Sequence, residues 1–64
     1  MNAFKTARLE AGLSTQAVAE IVGVSASAVN AWERGKTGPT AKRIPKLAKA
    51  LKKSPSAIIN MFNE

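Results

Sequence analysis

Cysteine, histidine, tyrosine and aspartate are all missing from the 64 residues. Without cysteine there is neither a disulfide framework nor a thiolate metal site, so packing alone has to hold the fold. Without histidine, Ser-His-Asp triads and histidine-based metal sites are excluded. The four acids, Glu10, Glu20, Glu33 and Glu64, lie on separate segments with no common pocket signature. A carboxylate pair for acid–base work therefore has no basis. The chain reads as a non-enzyme without cofactor, metal or small-molecule substrate. Long apolar runs are lacking too, which excludes a membrane span, and nothing resembles a signal peptide. The expectation is one cytoplasmic domain over residues 1–64. At this length about 60% of the unfolded surface is buried, leaving no room for a large cavity.

What is present is positive charge. The net charge is +6, and eight of the ten basic residues fall between Arg34 and Lys53, where no acid occurs. Residues 9–33, by contrast, carry only acidic charged side chains. Such an asymmetric field attracts polyanions to the second half of the chain. An aromatic-rich amphipathic face is absent, which disfavours a membrane surface as the partner.

Glycine, proline and serine punctuate five helical stretches. The first runs from about Asn2 to Ala11, with Phe4, Ala7, Arg8 and Ala11 at helical spacing, and Gly12 ends it. Leu13 plugs the following turn. Ser14 caps a helix from Thr15 to Val22 whose apolar face is Val18, Ala19, Ile21 and Val22. Gly23 stops it, and Ser25 caps a third helix from Ala26 to about Arg34, with Val29 and Trp32 facing inward. Gly35 closes that one. Thr40 offers a cap for a fourth helix with Ile44, Leu47, Ala48 and Leu51 on its inner side. Pro45 conflicts with a start at Thr40, because its ring would clash with the Ala41 carbonyl, and so predicts a kink or a late start. Ser54 and Pro55 signal the last helix, through Ile58, Ile59 and Phe62.

A small residue at a helix crossing, a glycine in the turn and branched apolar anchors are what a helix-turn-helix needs, and Ala19, Gly23, Val29 and Trp32 satisfy it. The segment resembles the phage repressor and Cro-like helix-turn-helix family, also called the XRE family. The resemblance lies in Gly12-Leu13-Ser14, Ala19-Glu20, Val22-Gly23-Val24-Ser25 and Trp32-Glu33-Arg34-Gly35. It continues through Leu47-Ala48-Lys49-Ala50-Leu51 and Ser54-Pro55, and so covers almost the whole chain. The family implies an all-α, compact five-helix, λ-repressor-like DNA-binding domain. It further implies operator binding as a two-fold homodimer, with the third helix supplying base contacts. The resemblance also places Arg8 and Glu33 in a buried ion pair. Two positions depart from the pattern. Thr15 stands where the family often has a phosphate-binding glutamine, with Gln16 one place later, and Pro45 stands where leucine is usual.

If the third helix enters the major groove of double-stranded DNA amino end first, Ala26, Ser27, Asn30 and Ala31 share the exposed side. Asn30 suits a bidentate bond to adenine, Ser27 donates or accepts, and the alanine methyls pack on thymine methyls. Thr15, Gln16, Lys36, Thr37, Lys42 and Arg43 are the phosphate candidates. Lys46, Lys49 and Lys53 share a face with Lys42 opposite Leu47 and Leu51, and read as a solvated stripe that steers anions. Ile58, Met61 and Phe62 in the apolar tail are candidates for a dimer interface. A protein-binding module of the same fold, an antitoxin or anti-regulator, remains the alternative to a repressor or Cro-like switch.

Overall fold

A computed structural model describes residues 3–62; Asn2 and Glu64, named above, lie outside them. The described residues form α1 (Ala3–Glu10), α2 (Thr15–Val22), α3 (Ala26–Glu33), α4 (Ile44–Leu51) and α5 (Pro55–Met61), with no strand among them. The fold is all-α. Serine hydroxyls start three of the helices. Ser14 Oγ accepts from the Ala17 N–H at 3.0 Å, Ser25 Oγ from Ala28 at 3.2 Å and Ser54 Oγ from Ala57 at 3.2 Å. Each cap is worth about 1 kcal/mol, a sizeable share in helices too short to persist alone.

The first four helices stop by one device. A residue in the left-handed conformation reverses the chain, and the next N–H bonds back to a carbonyl in the last turn. The bonds are Leu13 N–H to Arg8 O, Val24 N–H to Ala19 O, Lys36 N–H to Ala31 O and Lys53 N–H to Ala48 O, at 2.9–3.2 Å. Glycine takes the left-handed position in three of them, but after α4 it is Lys52, at φ 57°. A Cβ in that conformation costs about 1–2 kcal/mol. Lys52→Gly is therefore expected to stabilise the chain by about 0.5–1 kcal/mol, the gain being reduced by the glycine's larger unfolded-state entropy. In a domain of this size that raises Tm by about 3–6 °C in a thermal melt followed by circular dichroism. A lower Tm would mean that the lysine side chain contributes more than its backbone costs.

Pro45 sets where α4 begins. The helix starts at Ile44 with Arg43 in the N-cap position and no side-chain cap, so the cap expected at Thr40 is not used. Residues 41–43 form a turn instead, in which the Arg43 N–H bonds to Thr40 O at 2.9 Å. With this late start the proline lies in the first turn, where its missing N–H has no intrahelical acceptor to lose.

Phe4, Val18, Val22, Val29, Leu47 and Ile58 are fully buried and draw on all five helices. Burial of such side chains is worth about 1.5–3 kcal/mol each before chain entropy is subtracted. α2 packs on α3 and α4, α4 on α5, and α1 on α3 and α5. Ile21 departs from the expected inner face of α2 and is 46% exposed, Val18, Ala19 and Val22 being enough to fill the contact. The three aromatic residues form one cluster. Phe4 lies edge-on to Trp32 with ring centroids 6.0 Å apart, and Phe62 contacts Phe4 at 5.6 Å and Trp32 at 6.5 Å. α1, α3 and the residue ending α5 are thereby joined behind α3.

Candidate nucleic-acid interface

Gly23 makes the turn between α2 and α3 possible. Its φ is +87°, and a Cβ built there would stand 3.2 Å from Arg43 Nη1. That guanidinium donates to the Val22 carbonyl at 3.2 Å, serving an acceptor at the end of α2 that has no helical partner. Ala19, almost fully buried, lets α3 cross α2 closely. Val29 and Trp32 then hold α3 by its inner edge, while Ser27 and Asn30 are exposed on its outer side. Ala26 and Ala31 are half-buried, Ala26 resting against the core.

A second constraint fixes α3 from its far end. Arg8 and Glu33 form an ion pair through Arg8 Nε and Glu33 Oε2, with side chains only 9% and 12% exposed, and Arg8 Nη2 lies 3.5 Å from Oε1. Arg8 Nη1 also donates to the Leu13 carbonyl at 2.7 Å, so the guanidinium ties α1, the turn after it and α3 into one unit. Among the described residues no buried side-chain nitrogen or oxygen lacks a partner.

The remaining candidates differ in exposure. Gln16, Lys36, Thr37 and Lys42 are exposed, while Thr15 and Arg43 are half-buried. Arg43 therefore has a structural partner, Val22, in addition to any anion it meets. Lys5 is a residue that sequence reasoning missed. It joins Asn30, Glu33 and Arg34 around a hollow of about 330 Å³ between α1 and α3. Nothing in the sequence signals this, because Lys5 is distant from α3 along the chain.

The expected dimer contact needs correction. Ile58 is fully buried and Met61 is 8% exposed, so both are used in the protomer core and leave little surface to present to another copy. In a domain this small the last helix has to complete the core. Ile59 is 48% exposed instead, beside a hollow of about 240 Å³ lined by Gly38, Pro39, Ala41, Ile44 and the half-buried Phe62.

Comparison with known proteins agrees with this geometry. A helix-turn-helix family model matches residues 4–58. The solution structure of the DNA-binding domain of the P22 C2 repressor, residues 1–76, superposes with a TM-score of 0.80. It is 32% identical in sequence, over 88% of this chain and 74% of that one. No curated protein matches. The matched span includes both helices of the motif, the glycine turn between them and the start of α5, and the chain belongs to the phage repressor and Cro-like helix-turn-helix family.

Proposed function

We propose that this chain is a DNA-binding transcriptional regulator, a repressor or Cro-like switch, that places α3 in the major groove of a short operator. The observation that carries the reading is the two-sidedness of α3. Val29 and Trp32 fasten it from within while Ser27 and Asn30 face outward. Solvent-facing polar side chains on a helix anchored from within are what direct readout of base edges requires. The P22 C2 domain, a DNA-binding domain of a repressor, supports it by likeness. Phosphates then meet the amino end of α2 at Thr15 and Gln16, Thr37, and the cations Lys36, Lys42 and Arg43.

Selection of bound duplexes from a random pool, followed by sequencing, tests the reading. One recurrent motif is the expected outcome, and enrichment of none would end it. Asn30→Ala then relaxes the preference at one base position by about 1–3 kcal/mol, whereas an equal loss on every duplex would remove Asn30 from readout. Two-fold operators follow if the chain acts as a homodimer, with half-sites about 34–36 Å apart. Ile59 and Phe62 are the residues we assign to that contact.

A further inference from the structure

We propose that the hollow at the α4–α5 junction is a docking site for an acidic, amphipathic segment of a partner protein. The hollow holds about 390 Å³ and is lined by Pro45, Lys46, Ala48, Lys49, Lys53 and Pro55. Lys46, Lys49 and Lys53 are exposed, as the solvated stripe read in the sequence requires, and together they line one shallow hollow. Two features of the backbone create it. Pro45 and Pro55 sit in the first turns of α4 and α5, and the left-handed Lys52 reverses the chain so that Lys53 bonds back to Ala48 O at 2.9 Å. A non-glycine residue in that conformation carries Lys53 to the rim, and strain retained in this way is a reason to look for a role.

Charge and shape select the occupant. From Arg34 to Phe62 there is no acid, so nothing on α4 or α5 neutralises the three ammonium groups. Two prolines and an alanine line the hollow beside the lysines, and lysine stems add apolar surface below the charges. A leucine- or isoleucine-bearing segment covers such a lining while its carboxylates reach the ammonium groups, a mode that uses both parts of the site. A sugar–phosphate strand would meet the ammonium groups but brings no apolar group for the proline and alanine side chains, and an anionic lipid surface is an outcome that the test separates. A second copy is a poor source of the ligand. Only Glu10 and Glu20 among its described acids are exposed, and a net charge of +6 makes copies repel. The lining contains none of the α3 residues assigned to base contact, although Lys46 shares a face with the phosphate candidate Lys42.

The probe is a fluorescein-labelled dodecapeptide of repeated Glu-Glu-Leu-Leu, titrated by anisotropy and mapped by amide chemical shifts on the whole chain. Saturable binding is expected, with shifts at Lys46, Ala48, Lys49 and Lys53 that persist when the protein is saturated with duplex. The folded triple variant Lys46→Gln, Lys49→Gln, Lys53→Gln should bind the peptide about tenfold more weakly, as loss of three exposed charge contacts dictates, with less change in duplex affinity. Displacement of the peptide by duplex, shifts on α3 or an unaffected triple variant would each overturn the proposal. So would equal binding of a Glu-Glu-Ser-Ser peptide, which would reduce the effect to charge alone, or preferential capture of phosphatidylserine vesicles through the same lysines. Since peptide and duplex are measured separately, failure of DNA binding leaves this result readable.

Discussion

Replacing Glu33 with alanine is expected to remove about 3–5 kcal/mol of stability, because it strands a buried guanidinium. For a chain of 64 residues that is a third or more of the total, which at about 0.05–0.15 kcal/mol per residue is about 3–10 kcal/mol. The size of the effect follows from how Arg8 is held. Its side chain is 9% exposed, and the bond from Nη1 to the Leu13 carbonyl keeps it from turning to water when the carboxylate is gone. A surface pair would lose at most about 1 kcal/mol. Urea unfolding followed by circular dichroism separates the two cases. A Glu33→Ala protein with the midpoint of the parent would show that the pair has no energetic role. Glu33→Gln, which keeps an acceptor near Arg8, should lose less. Replacing both partners with leucine should recover part of the loss, because the uncompensated charge is what destabilises.

The second large effect is the response of duplex binding to salt. Each phosphate neutralised releases counterions and adds about −0.9 to the slope of log affinity against log salt. Lys36, Lys42 and Arg43 give three cations per protomer, hence a slope of about −3 for one protomer and about −5 for a pair. Raising salt from about 50 to 200 mM then weakens binding by about 40-fold for one protomer and by about 10³-fold for two. The titration thus counts protomers as well as detecting the interaction. A flat response would contradict the phosphate assignments and the functional reading with them. Lys36→Gln should shrink the slope by about one per protomer while leaving base preference intact.

Local chemistry was the legible part. Ser14, Ser25 and Ser54 as caps, Gly12, Gly23 and Gly35 as stops, and the inward pair Val29 and Trp32 depend on neighbours a few residues away, which a sequence displays directly. That α4 could not run regularly from Thr40 was readable for the same reason, since a proline ring and the carbonyl four residues before it cannot coexist in a regular helix, but the choice of a late start over a kink was not. What lay beyond reach depends on contacts between distant segments. The burial of Ile58 and Met61, the exposure of Ile21 and the bond from Arg43 to Val22 are each decided by which helix lies opposite. Lys52 was missed differently. Lysine carries no signal for a left-handed stop, and only the return bond from Lys53 to Ala48 reveals it. For the proposed interface, the exposure of Ser27 and Asn30 followed from their spacing, whereas the half-burial of Ala26 and Ala31, expected on the same exposed side, and the place of Lys5 are set by packing against other helices.

The aromatic cluster behind α3 has an optical consequence. Trp32 is the sole indole in the chain and it packs against both Phe4 and Phe62, on the reverse of the helix assigned to base reading. Its emission spectrum is therefore a built-in gauge of how that helix is seated. A blue-shifted band reports docking, and a red shift with loss of anisotropy reports release, without a label on the surface that meets the operator.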